Sequence, residues 1–164
     1  QKLVWFNHEY IINKSDEEIA NLFAPVLEAH GVKESHERIV KAVSLVKNRV
    51  NFVGELWNQT SYLFQAPESF DEKSLKKWWK DEAPRTTAEL CDFIESEPDF
   101  TGAVLEPRVM EWIASKGYGI GKVMNALRVT LVGAAVGPHI FEITDFIGKE
   151  ETLARARKAI STLS

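Results

Sequence analysis

Residues Gly121–Ile160 read GKVMNALRVTLVGAAVGPHIFEITDFIGKEETLARARKAI. An apolar helix carrying one arginine, Arg128, opens the stretch. A short break follows from Gly133 to Gly137, and Pro138 starts the next helix, since proline suits a first helical turn where its missing N–H would be unpaired anyway. Gly148-Lys149 makes a second break before a last helix at Glu150–Thr162. A helix pair with an arginine on one side and a Gly-Pro turn on the other suits simple packing. It also suits a small platform that receives an extruded nucleotide, because helix-start N–H groups accept anions and base acceptors.

Outward from this run the pattern stays helical. Leu3, Phe6, Tyr10 and Ile11 fall at helical spacing, with Trp5 beside them. Ser15 precedes Asp16-Glu17-Glu18, an N-cap with acidic residues at the positive end of a helix dipole, and Glu18 completes a capping box. Ile19, Leu22, Phe23, Val26 and Leu27 form the stripe, Pro25 marks a kink or break, and His30-Gly31 ends the segment. Ser35 starts a third helix with Ile39, Val43 and Val46 on one face. The phase is lost around Asn48–Asn51, and a further helix carries Phe52, Glu55, Leu56 and Tyr62. Gln65–Ser69, polar with one proline, is the domain seam. Later helices are expected near Asp71–Lys80, Thr86–Ser96 (capped by Thr86 or Thr87), Leu105–Lys116, Gly121–Val132 and Pro138–Ile147. No stretch alternates as a strand does. The expected fold is all-α, with two small helical subdomains, residues 1–66 and 67–164.

The chain has 164 residues, 45% hydrophobic and 27% charged, which are ordinary globular values. Its formal net charge is −4, whereas a protein that grips duplex nucleic acid by neutralising its backbone is usually basic. Any nucleic-acid partner is therefore expected to be read locally, through bases, or to have most of its electrostatic grip elsewhere. One cysteine, Cys91, excludes an internal disulfide and suits a reducing compartment. No apolar run reaches the roughly 20 residues that span a bilayer, and no secretory signal pattern opens the chain. The start at Gln1, leading almost directly into an amphipathic segment, points to a piece cut from a longer protein.

Catalytic and metal chemistry finds little footing. His8, His30, His36 and His139 are scattered, without cysteine partners or HExxH-type spacing. Cys91 lies in the stripe Leu90-Cys91-Phe93-Ile94 and reads as a packed thiol. Gly117-Tyr118-Gly119-Ile120-Gly121-Lys122 resembles a phosphate loop only superficially: no strand precedes it and no Ser or Thr follows the lysine. Trp78-Trp79 lies among Lys76, Lys77 and Lys80, where aromatics can stack bases, although one tryptophan packed inward beneath a solvated lysine face accounts for the pair better. Three readings stand on residues alone: a nucleotide-reading module, a helical protein-interaction domain, and a helical enzyme for which no constellation is present.

Both ends of the chain resemble bacterial glutamyl-tRNA synthetases of class I. The opening Lys2-Leu3-Val4-Trp5-Phe6-Asn7-His8-Glu9-Tyr10-Ile11 is similar to the segment after that family's catalytic half. Leu127–Gly133, Gly137-Pro138-His139-Ile140-Phe141-Glu142 and Gly148-Lys149-Glu150-Glu151 are similar to its last part. The resemblance implies the cage-like anticodon-binding portion: two helical subdomains, no chemistry of their own, a partner in the anticodon loop of glutamate tRNA, and a monomer in the cytoplasm. It further implies a parent chain whose own catalytic domain charges that tRNA with glutamate, using ATP and magnesium, through HIGH-like and KMSKS-like signatures that this sequence lacks. No cofactor is implied for the fragment itself.

By the same resemblance, Arg49 looks like the arginine that reads the third anticodon base. Asn125 and Arg128 match contacts on the helix before the break, and Gly137, Pro138 and Ile140 match contacts on the loop and helix start. Gly137 replaces a threonine of a relative, which removes a hydroxyl contact. His139 stands where glycine often follows the proline and can close or reshape the pocket. The residue types suit the task. Splayed single-stranded bases are read on their Watson–Crick edges and stacked on aromatic, apolar or guanidinium surfaces. Cytosine offers O2 and N3 as adjacent acceptors to the fixed donor fork of Arg49. Guanine offers donors there, so donor meets donor and desolvated groups go unpaired. Glutamate anticodons end in C and glutamine anticodons in G. A good bidentate contact discriminates by roughly 1–3 kcal/mol. Ile140 is the expected apolar surface beneath a base.

Overall fold

The computed structural model describes residues 10–11 and 13–163. Two compact units divide the chain, Gln1–Phe64 and Gln65–Ser164, where the sequence seam was placed between residues 66 and 67. The helix expected around Leu3 and Phe6 lies outside the described residues. Its last members are not helical: Tyr10 forms an isolated antiparallel bridge with Phe52, and the Ile11 N–H goes to the Asn51 carbonyl at 3.1 Å. Ile11 is buried in the first core by this pairing.

In the first unit α1 spans Asp16–Ala29 and is started by the expected capping box. The Glu18 N–H donates to the Ser15 hydroxyl and Glu18 accepts the Ser15 N–H in return. Pro25 lies inside α1, and the helix runs past it to Ala29. Helix α2, His36–Val46, has Ser35 as its N-cap. Two 3-10 turns follow, Lys47–Arg49 and Val53–Glu55, and then α3, Leu56–Phe64. Ile19, Phe23, Leu27, Ile39, Val43, Val53 and Leu56 close the core between them.

The second unit holds α4 (Glu72–Trp78), α5 (Ala83–Glu95), α6 (Gly102–Lys116), α7 (Ile120–Val132) and α8 (Ile140–Leu163). Helix α8 is broken at Gly148, whose φ of 87° is open mainly to glycine, so the two helices read from the sequence there are two arms of one element. Leu90, Ile94, Leu105, Ile113, Leu127, Leu131 and Phe141 form the core. Cys91 is buried in it, and burial pushes its thiol pKa up to about 11.

Two helix starts differ from the sequence reading. Helix α5 begins at Ala83, with Pro84 in its first turn, so Thr86 and Thr87 are interior and buried rather than caps. The Thr86 hydroxyl donates back to the Ala83 carbonyl at 3.2 Å. Helix α8 begins at Ile140, not Pro138, because the His139 carbonyl accepts the N–H groups of Glu142 and Ile143.

Cations close the carbonyl ends of the second unit. Lys149 Nζ donates to the carbonyl of Glu95, the last residue of α5, at 2.9 Å and to that of Glu97, just past it, at 2.6 Å. The buried Arg155 donates to the Leu131 carbonyl at 2.8 Å at the end of α7 while pairing with Glu151. These contacts satisfy last-turn carbonyls that a helix leaves without partners.

Candidate nucleic-acid interface

The loop from Gly133 to His139 is assembled from both sides. Helix α7 ends at Gly133 with φ 94°. A Cβ there would come within 2.9 Å of the Ser69 carbonyl and 3.0 Å of Pro67, so the seam peptide packs directly onto a bare backbone. The Asp71 N–H donates to the Gly133 carbonyl at 2.8 Å. One turn into α4, the Ser74 hydroxyl donates to Asp71 Oδ2 at 2.8 Å and accepts the Ala135 N–H at 3.1 Å. The Asp71 carboxyl also takes the Ser74 N–H at 2.9 Å. The Ser74 hydroxyl and then its N–H hold that carboxyl below its ordinary value of 3.8.

Arg128 fixes the other side. Its Nη1 donates to the Val136 carbonyl at 3.1 Å and to the Pro138 carbonyl at 2.6 Å. A planar guanidinium can hold two carbonyls of one turn at once, which an ammonium does less well. Gly137, between them, has φ 113°. A threonine at this position would carry a Cβ into a backbone region that side chains rarely adopt, so the loop shape seen here suits glycine.

The other expected residues fall as follows. Pro138 is buried, two residues before α8 starts, and its carbonyl belongs to Arg128. Ile140 is only 3% exposed and packs in the core of the second unit. As placed it offers a base almost no surface, which corrects the platform role expected of it. The apolar side chain that does reach solvent in this loop is Val136, 59% exposed. The sequence signal for it is slight, an isolated valine in a break between helices. Asn125 lies on α7 one turn before Arg128, and its Nδ2 donates to the Gly121 carbonyl at 2.9 Å. His139 turns toward α6, with Nε2 3.0 Å from Glu106 Oε1.

Arg49 belongs to the first unit, at the end of the Lys47–Arg49 turn. It is exposed between the buried Val46 and Val50. The apolar neighbours anchor the backbone and leave the guanidinium outside. Lys47 in the same turn is committed to structure: Nζ donates to the Lys14 carbonyl at 2.6 Å and pairs with Asp16 at 3.2 Å. Among the described residues the Arg49 guanidinium has no hydrogen bond or ion pair, so its donor fork is not consumed by the fold.

A family model described as an anticodon binding domain matches residues 18–160. The glutamate–tRNA ligase of Phocaeicola vulgatus is 47% identical over 163 residues, covering 99% of this chain and 32% of that protein. Its counterpart in Bacteroides fragilis is 49% identical with the same coverage. The crystal structure of a glutamate tRNA ligase from Elizabethkingia meningosepticum in complex with its amino acid superimposes with a TM-score of 0.88 at 41% identity, covering 98% of this chain and 32% of that one. The chain thus spans about a third of the length of the relatives it matches. Nearly every residue of both helical units falls inside these matches, and the chain belongs to the anticodon binding domain family.

Proposed function

We propose that the chain reads the anticodon loop of glutamate tRNA for a ligase whose catalytic domain lies elsewhere in a longer parent chain. The similarity to glutamate–tRNA ligases along almost the whole chain carries this reading. In the first unit, Arg49 presents an uncommitted donor fork to the third anticodon base, where cytosine accepts and guanine repels. In the second unit, the loop between Gly133 and His139 receives a neighbouring base, with Val136 as its apolar surface. Arg128 is a positioning residue that sets the loop through the Val136 and Pro138 carbonyls. Asn125 lies one turn away on the same helix.

The parent acts as a cytoplasmic monomer and couples glutamate to its tRNA with ATP and magnesium, both held by the catalytic portion. Among the described residues of this chain no three potential ligand side chains stand together as a metal site. No helix among them is long and apolar enough to cross a membrane. A protein-docking role has less to draw on. The exposed large hydrophobic side chains among the described residues are Tyr10, Val104, Ile120 and Val136, in four separate segments.

The test is Arg49→Gln in the full-length parent. The ratio of kcat/KM for glutamate tRNA to that for glutamine tRNA is expected to fall by about 5- to 150-fold, the equivalent of roughly 1–3 kcal/mol of base discrimination. An unchanged ratio contradicts the role of Arg49.

A further inference from the structure

Two motifs that the anticodon reading leaves unused meet in the second unit. The end of α4 and the turn after it bring Lys77, Trp78 and Lys80 to one wall of a cleft of about 470 Å³, and the Gly117–Gly119 turn with Lys122 of the first turn of α7 forms another. Nothing from Asn125 to Ile140 lines it. We propose that this cleft is a second nucleotide site, which takes one phosphorylated nucleotide with its base against Trp78 and its phosphate between Lys77, Lys80 and Lys122.

The volume falls within the roughly 300–1,000 Å³ of small-molecule sites. Four cationic side chains line the cleft, Lys77, Lys80, Arg85 and Lys122, against two anionic ones, Asp81 and Glu82. Arg85 is spent on the wall itself. It bonds Glu82 and Glu89, each at 2.7 Å, and meets the Tyr118 hydroxyl at 3.3 Å. Tyr118 in turn donates to Glu89 at 2.6 Å. Counting Glu89, which Arg85 and Tyr118 hold behind the wall, four cations meet three anions, and the one net positive charge that remains, on lysines, favours an anion.

The three lysines are not fixed by ion pairs to described residues. Lys77 Nζ sits 5.1 Å from the centroid of the Trp78 ring, a weak contact at an exposed site that a phosphate can replace. Helix α7 starts beside them, and its N-cap residue, Gly119, has no side chain with which to cap it. The N–H groups of Ile120, Gly121 and Lys122 therefore open from the helix start as anion donors. Trp78 is half-buried, held by the fold yet open on the cleft side, and a base can stack on such a ring whatever its identity. Asp81, on the rim, has φ 54° and is the one non-glycine residue with positive φ among the described residues, so the turn that presents Trp78 and Lys80 is a specified shape.

The test follows the indole N–H signals of the isotopically labelled 164-residue chain, with Trp78→Phe to assign the Trp78 signal. Titration with a nucleoside 5′-monophosphate is expected to shift that signal saturably, and Lys77→Ala with Lys122→Ala to raise Kd at least fivefold at unchanged Tm. If the double variant does not fold, Lys80→Ala, on an exposed turn, gives the same readout. A shift produced by an RNA hairpin but not by the free mononucleotide, and lost in the lysine variants, supports the site and assigns its nucleotide to bound RNA. No shift with either ligand overturns the proposal, as does inorganic phosphate reproducing the full nucleotide shift, which would leave Trp78 no stacking role. The titration with free nucleotide involves no anticodon contact, so its failure leaves the reading of Arg49 untouched.

Discussion

The Ser74 hydroxyl accepts the Ala135 N–H at 3.1 Å, across 61 residues of sequence. This bond, with Asp71 N–H on the Gly133 carbonyl, makes the first turn of α4 part of the loop that Arg128 holds from the other side. Ser74→Ala removes the acceptor of a part-buried backbone donor, at a cost of about 1–2 kcal/mol. Urea denaturation should show a lower midpoint at unchanged slope. Hydrogen exchange at the Ala135 amide should accelerate more than exchange in the α7 interior.

Arg128→Lys keeps the charge and loses the guanidinium whose Nη1 reaches both the Val136 and the Pro138 carbonyls. The expected loss of stability is about 1–1.5 kcal/mol, at the low end for charged hydrogen bonds because the side chain is half exposed. If Arg128 positions the loop, the anticodon stem-loop affinity of the variant falls, and its salt dependence changes little because the charge remains.

Gly133→Ala places a methyl group 2.9 Å from the Ser69 carbonyl at a φ of 94°. Backbone strain alone costs about 1–3 kcal/mol, and the seam peptide must move as well. Gly121→Ala meets nothing within 4 Å on α7 and should stabilise by up to about 0.5–1 kcal/mol, since alanine loses less freedom in a helix. Thermal unfolding of the two variants should move Tm in opposite directions.

Acid should loosen this corner. The Asp71 carboxyl has a folded value below its ordinary 3.8, chiefly through the Ser74 hydroxyl. A depressed carboxyl contributes stability that is fully present above its unfolded value and is lost as pH falls through the lower, folded one. Below about pH 4 the Ser74 and Ala135 amide signals should therefore shift together. Asp71→Asn should flatten that titration without altering the neutral-pH fold.

The local grammar of helix ends was written plainly in the chain. Ser15 and Glu18 form both bonds of their capping box, Ser35 caps α2, Gly117 closes α6 in the left-handed region, and Gly148 breaks α8. The misreadings came where a competing signal, local or tertiary, outweighed the one read first. Thr86 and Thr87 look like caps, yet Pro84 suits a first turn and the Ala83 N–H bonds Lys80, so α5 starts earlier. Pro138 looks like a first helical residue, yet Arg128 draws its carbonyl aside and His139 takes over as the cap. Ile140 then turns into the core and Val136 outward. The targets of Arg128 depend on atoms eight and ten residues away, which no spacing rule specifies. Arg49 was legible only by resemblance. Its exposure follows from Val46 and Val50 anchoring the turn on either side.

Recognition of the third anticodon base is tested most directly by binding, without catalysis. Two anticodon stem-loops of glutamate tRNA, identical except for C or G as that base, are titrated into the full-length parent and its Arg49→Gln variant at fixed moderate salt. Reading by Arg49 predicts tighter binding of the C form by about 5- to 150-fold, with the preference collapsing toward one in the variant. Equal affinity of the parent for both stem-loops, or a preference that survives Arg49→Gln intact, would contradict it.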